Sequence, residues 1–334
     1  MSMSTANLAK KEESIGKLTI KEPYTKTRFL SKQARGVIDL FRAFTLFPPL
    51  VVSMAIMTAS LVYNFQENKI PIVEDWWIIV GQASFTITVV NAASNALNQA
   101  TDVKADKISK PYRPIPKGIV KAESAQSLAY LLYLFALLRA VTINVWFGIF
   151  IFLIMIFTVT YSLPPRMKKY LIINQIWIAV PRGMLGILAS WSVFGDPFTP
   201  TPLIIGAIAT TYLIGGMAAK DIVDSEADKI TGTHTMINTF GCKKTALMVL
   251  PFMVFPFAFI PMFIDYGGLL PYLYPLTFLI IPGFFVAYLI YRGTESKTLE
   301  NVQAWAIMYI LYIIYAMAFA LLTIFRDILP WYVG

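Results

Sequence analysis

Residues 91–118 read NAASNALNQATDVKADKISKPYRPIPKG. The stretch leaves an apolar run and ends in a basic, proline-rich loop. Asn91, Asn95, Asn98, Asp102 and Asp106 recur every three or four positions, which on a helix stacks them on one face. Two carboxylates and three amides on one stripe do not suit a surface that faces lipid. They suit a polar cavity that holds a hard cation through oxygen ligands.

The chain around this stretch has a membrane composition. Of 334 residues, 57% are hydrophobic and 14% charged, with a mean hydropathy of +0.63. A spanning helix needs about 20 mostly apolar residues. That ruler predicts nine spans, at 40–63, 77–99, 124–141, 143–163, 171–193, 201–220, 245–264, 270–291 and 303–325. The expected fold is therefore an all-α integral membrane protein. The net charge of +9 is confined to particular loops and forms no stripe for nucleic acid. The single cysteine, Cys242, excludes an intramolecular disulfide, and the single histidine, His234, argues against a histidine-rich zinc site. His234 itself is expected to be an exposed loop residue. Residues 1–35 are polar and Lys-rich without an apolar core. They are expected to form a flexible cytoplasmic tail, with residues 36–334 as the transmembrane domain.

Loop charge predicts the orientation. Lys104, Lys107, Lys110, Arg113, Lys117 and Lys121 follow the second span. Arg166, Lys168 and Lys169 follow the fourth; Lys229, Lys243 and Lys244 the sixth; Arg292 and Lys297 the eighth. The intervening connections are poor in Lys and Arg. The positive-inside rule then places the N-terminus and these loops in the cytoplasm and the C-terminus outside. Trp76, Trp77, Trp331 and Tyr332 fall at the expected interfaces.

The opening stretch has an echo. Asp102-Val-Lys-Ala-Asp106-Lys-Ile-Ser109 returns as Asp224-Ser-Glu-Ala-Asp228-Lys-Ile-Thr231. Each copy follows an even-numbered span, so both belong at one membrane face. The spacing predicts two four-helix pseudo-repeats plus a ninth helix, around a central cavity. Asp221 lies one turn before Asp224, and Glu226 falls on another face. Several carboxylates facing one cavity repel unless cations stand between them. Magnesium prefers such oxygens and bridges to substrate phosphates. The two clusters thus suggest a site for a magnesium-chelated diphosphate, with Lys110, Arg113, Lys168 and Lys220 as countercharges.

With both motifs in hand, the sequence resembles the UbiA superfamily of intramembrane prenyltransferases. Asn98-x-x-x-Asp102-x-x-x-Asp106 with Lys110-Pro-Tyr-Arg113-Pro-Ile-Pro-x-Gly118 is similar to the first family motif. Lys220-Asp221-Ile-x-Asp224-x-Glu226-x-Asp228-Lys229-x-x-Gly232-x-x-Thr235 is similar to the second. Tyr161-Ser162-x-x-Pro165-Arg166-x-Lys168 resembles the loop between them, and Arg42 stands where members carry a basic residue. Two departures are Ala227 where Gly is frequent, and Met236-Ile237 where Leu-Pro commonly follows Thr235.

The resemblance implies a reaction. Asn98, Asp102, Asp106, Asp224 and Asp228 would hold two magnesium ions that bridge the diphosphate of an isoprenyl donor. Arg42, Lys110, Arg113 and Lys168 would neutralise the rest of its charge. Tyr161 would stabilise the developing allylic cation through its ring, with Asp221, Lys220 and Ser162 as further members of the site. The partners would be that donor, a lipophilic acceptor and the bilayer of the cell membrane. The motif details favour an aromatic or chlorin-like acceptor, of the quinone and chlorophyll branch. Three alternatives stay open: an archaeal geranylgeranylglyceryl phosphate geranylgeranyltransferase, a membrane terpene synthase or cyclase, and an ion transporter.

Overall fold

The computed structural model describes residues 30–293, 302–329 and 331–332. Most of the expected tail and Lys297 lie outside the described residues. Every regular element among the described residues is helical. The first half comprises α1 (Lys32–Leu40), α2 (Ala43–Asn68), α3 (Trp76–Thr101), α4 (Val103–Ser109), α5 (Ala122–Ile143) and α6 (Val145–Ser162). Then come α7 (Ile173–Arg182), α8 (Met184–Trp191), α9 (Pro200–Gly216) and α10 (Asp221–Ile230). The last are α11 (Met236–Ala258), α12 (Ile260–Asp265), α13 (Ile280–Arg292) and α14 (Gln303–Ile324).

Eight helical segments among the described residues are long and apolar enough to cross a membrane: Ala43–Asn68, Trp76–Thr101, Ala122–Ile143, Val145–Ser162, Pro200–Ile230, Met236–Asp265, Pro271–Arg292 and Gln303–Ile324. The fifth of the nine expected spans, at 171–193, is not one continuous helix. Residues 171–193 form two short helices, α7 and α8, parted at Gly183 with φ −79° and ψ −89°. A Cβ at Gly183 would come within 2.6 Å of the Thr210 backbone nitrogen on α9, so only glycine permits this approach. The break is stitched on both sides. Thr210 Oγ1 accepts from Met184 N–H at 2.7 Å, and Tyr312 on α14 donates to the Arg182 carbonyl at 2.7 Å. Both backbone groups would otherwise lack helical partners.

The outward faces are greasy and the inward faces small. On α5, Leu131, Leu134, Leu138 and Val141 are exposed, while Ala125, Ala129, Tyr133, Ala136 and Ala140 are buried. That division suits lipid outside and close helix packing inside. The buried residues fall into two clusters. One gathers Met57, Ala83, Ala93, Leu97, Tyr133, Phe147 and Ile151 around α3, α5 and α6. The other gathers Ile56, Tyr212, Met253, Phe257, Tyr315 and Phe319 around α9, α11 and α14.

Polar side chains fix the approach of α3 to the first helices. Asn95 donates to the Phe41 carbonyl at 2.8 Å and to Thr45 Oγ1 at 2.7 Å. Asn91 donates to the Thr45 carbonyl and Gln99 to the Leu40 carbonyl, each at 2.8 Å. The Leu40 and Phe41 carbonyls are left over where α1 ends, and that of Thr45 because Pro49, one turn on in α2, has no N–H. Arg42 makes that turn in the left-handed region, at φ 53°. Part of the stripe that opened the sequence is thus an anchor between helices.

Candidate active site

A cavity of about 840 Å³ opens between the ends of α3, α7, α10 and α14. Asn98, Asp102, Asp106, Lys110, Arg113, Tyr161, Lys168, Lys220, Asp221, Asp224 and Asp228 all line it, as does Arg42. The expected site residues therefore share one space, with Ser162 as the exception. Ser162 is buried at the end of α6, outside the lining, and its hydroxyl has no hydrogen-bond partner. Glu226 is exposed, on a face away from Asp224 and Asp228, and His234 is exposed as well.

The first cluster does not lie on one unbroken helix. Asp102 caps α3 with φ −104° and ψ 17°, and α4 starts after it. The backbone ladder still passes through the bend, since the Asp102 N–H reaches the Asn98 carbonyl at 3.0 Å and Asp106 N–H reaches that of Asp102 at 2.8 Å. Asn98 donates to Asp102 Oδ2 at 2.9 Å. The bend leaves the predicted neighbours adjacent and makes α4 part of the cavity wall.

Each acidic side chain but one is met by a cation. Arg113 Nη1 contacts both oxygens of Asp106 at 2.9 Å, with both residues buried. Lys110, from the first motif, pairs with Asp224 of the second. This bridge joins the two halves of the sequence echo. Lys168 and Arg166 share Asp102, the latter at 3.0 Å. Lys220 pairs with Asp221, which also accepts from Asn174 at 3.3 Å. Asp228 lines the cavity without an ion pair among the described residues. Burial pushes the Asp106 carboxyl above its ordinary value, opposed by Arg113 and Lys110. Burial pulls the Lys168 ammonium below its ordinary value, opposed by Asp102.

Tyr161 faces a cation as well. The Lys168 ammonium stands 5.8 Å from its ring centroid, and the Tyr161 hydroxyl donates to Asn174 Oδ1 at 3.2 Å. Asn174 on α7 thus links Tyr161 to Asp221. It was not among the predicted residues, although an asparagine within a predicted span is a signal for such a role. Arg166 was also absent from the predicted site, because a loop arginine fits the positive-inside pattern equally well. Two cations of the lining rest on rings of α14, the expected Arg42 and, deeper, Arg182, which was not among the predicted residues. Arg42 lies 6.0 Å from the Trp305 ring centroid, and Arg182 lies 5.7 Å from that of Tyr309. Arg182 in the middle of a predicted span was the legible sign.

The donors suit magnesium in kind: carboxylates, one amide and room for water. Among the described residues, no group of three or more acidic, histidine or cysteine side chains stands close enough to hold a metal ion. Lysines and arginines stand instead against the oxygens that a metal would use. The carboxylates are thus compensated by internal cations, which a divalent ion would exchange for itself.

Known proteins give this geometry a context. A digeranylgeranylglyceryl phosphate synthase of Methanobrevibacter smithii is 25% identical over 266 residues, covering 76% of this chain and 88% of that protein. A UbiA homologue from Archaeoglobus fulgidus, solved with GPP and Mg2+, superimposes with a TM-score of 0.66 at 18% identity, over 85% of this chain and 99% of that one. A structure reported for digeranylgeranylglyceryl phosphate synthase in membranes aligns with a TM-score of 0.58 at 19% identity, over 86% and 99%. The model of the UbiA prenyltransferase family matches residues 53–311, a range that contains both acidic motifs and most of the residues that line the cavity. Reached from its residues and from its relatives alike, the chain belongs to the UbiA prenyltransferase family: it is a prenyltransferase, integral to the membrane.

Proposed function

We propose that the protein transfers a polyprenyl group, of geranylgeranyl type, from its diphosphate to a hydroxyl of a glycerol-phosphate ether lipid. The observation that carries this reading is the Methanobrevibacter smithii relative, which spans 76% of the chain and is named for that product class. The expected aromatic or chlorin-like acceptor gives way to this alternative. Its support was local motif detail, whereas the relative's match runs through most of the helices. The transporter alternative falls with membership of an enzyme family. A cyclase would use the same ionisation without a second substrate, and product analysis separates it.

Asn98, Asp102 and Asp106 would hold one magnesium ion, and Asp224 with Asp228 a second. Bound there, magnesium shields the diphosphate charge and makes it a better leaving group. The lysines and arginines now paired with these carboxylates are released toward the phosphate oxygens. Arg113 offers a bidentate contact, Lys110 and Lys168 point charges, and Arg42 a second guanidinium. The bond between the allylic carbon and the diphosphate oxygen breaks with both electrons leaving on oxygen. Tyr161 presents its ring face to the resulting cation, on the side where Lys168 already stands. The acceptor hydroxyl forms the new carbon–oxygen bond and gives up its proton. The departing diphosphate, left with the electron pair of the broken bond, is the base at hand to carry that proton away.

The same reading keeps the loops that carry both motifs in the cytoplasm, with the C-terminus outside, as the loop charges favour. The basic tail expected over residues 1–35 gives way by Lys32, where α1 begins, and the sequence echo supports an origin in two halves. Purified protein given geranylgeranyl diphosphate, magnesium and a panel of glyceryl-phosphate and aromatic acceptors tests the reading by product mass spectrometry. A prenylated glyceryl phosphate is expected. Transfer to an aromatic ring alone, or release of a free cyclic hydrocarbon, would overturn it.

A further inference from the structure

Arg182 is the last residue of α7, at the break before Gly183, and lines the same cavity as the acidic clusters. It is half-buried. Among the described residues it has no ion pair, and the side-chain contact recorded for it is the Tyr309 ring at 5.7 Å. Five other cations of the lining differ: Lys110, Arg113, Arg166, Lys168 and Lys220 each meet a carboxylate. A guanidinium that far along a membrane helix is costly without an anion beside it.

The surroundings hold it in place. Tyr309 stacks edge-on against Trp305 one helical turn away, with centroids 5.0 Å apart. Trp305 in turn lies beneath Arg42 at 6.0 Å. Tyr312 donates to the Arg182 carbonyl at 2.7 Å, fixing the backbone end. Pro181 and Gly183 flank it where the helix stops. Arg182 is thus oriented by rings and backbone, leaving the planar donor fork available. Such a fork matches a phosphate better than an ammonium does.

Its depth matters. Asn174, which touches Asp221, lies eight residues earlier on α7, about 12 Å along the axis. A diphosphate held at the acidic level and a second anion at Arg182 would bracket the space where the new bond forms.

We propose that Arg182, seated on Tyr309 at the helix break, binds the phosphate of the acceptor lipid and so sets the acceptor's hydroxyl toward the donor. This rests on the acceptor reading given above. Arg182 is a specificity-determining residue on this view. It touches the acceptor's headgroup and takes no part in ionising the donor.

The test uses the full-length protein in detergent with dodecyl phosphate as the probe and dodecanoate as its comparison. Wild-type protein is expected to bind dodecyl phosphate more tightly than dodecanoate. Arg182→Gln is expected to weaken dodecyl phosphate binding about tenfold or more, with partial recovery in Arg182→Lys. Magnesium-dependent binding of a non-hydrolysable geranylgeranyl diphosphate analogue should stay within about twofold in both variants, which also reports that they fold. Equal phosphate binding in wild type and Arg182→Gln, or a preference for dodecanoate, overturns the assignment. So does a loss of donor binding in Arg182→Lys equal to the loss of phosphate binding. Wild-type protein that binds dodecyl phosphate through Arg182 yet never prenylates a glyceryl phosphate would sink the acceptor reading and keep the anion subsite.

Discussion

At the residue scale, the carboxylates divide by what they touch. Asp102, Asp106 and Asp224 are each held by cations, and Asp228 is not. Asp102→Asn and Asp228→Asn are expected to reduce magnesium-dependent transfer by about a hundredfold or more, read as turnover with saturating donor. Tyr161 permits a finer dissection. Tyr161→Phe keeps the ring face and loses the hydrogen bond to Asn174, so it should keep most of its activity. Tyr161→Leu removes the ring and should lower the rate by about tenfold, a loss of cation–π stabilisation near 1–2 kcal/mol. Equal rates for the two variants would remove the ring from the mechanism. These acidic residues were legible in the sequence because their spacing occurs twice. Asn174 and Arg182 were not singled out. A single polar residue in an apolar span announces a partner without saying which one, and their partners Asp221 and Tyr309 arrive from distant parts of the chain.

At the element scale, the break between α7 and α8 distinguishes the observed helices from those expected. Hydropathy over 171–193 is that of a continuous span, and the sequence does display Pro181 and Gly183. What interrupts the helix is tertiary: Thr210 fills the place of a Cβ and caps Met184. Gly183→Ala is expected to force α7 from α9 and cost about 1–3 kcal/mol, seen as a lower melting temperature in detergent. A milder test concerns the start of α11. The Thr235 hydroxyl accepts from Asn238 N–H at 3.3 Å, while Asn238 Oδ1 accepts from Thr235 N–H at 2.9 Å. Thr235→Val breaks this reciprocal cap and should cost about 1 kcal/mol by the same measurement. Because Thr235 also lines the cavity, a large loss of turnover with little loss of stability would reveal a direct role for it in the site.

At the scale of the whole molecule, helical class and membrane residence could be read from composition and apolar runs, and the shared cavity from the repeated motif. Helix packing around it could not, since the small residues of α5 and the amides of α3 find their partners only once the bundle forms. The bundle brings together Lys110 and Asp224, which stand 114 residues apart. A non-hydrolysable donor analogue with magnesium is expected to raise the melting temperature, and either alone should raise it little; adding a chelator should abolish the shift. The reason lies in the cations that already rest against the carboxylates. A divalent ion arriving by itself must evict ammonium and guanidinium groups that have nowhere better to go. A diphosphate gives them that destination. Donor and metal are therefore expected to load together, so that the metal content of the isolated protein should gauge how much donor came with it.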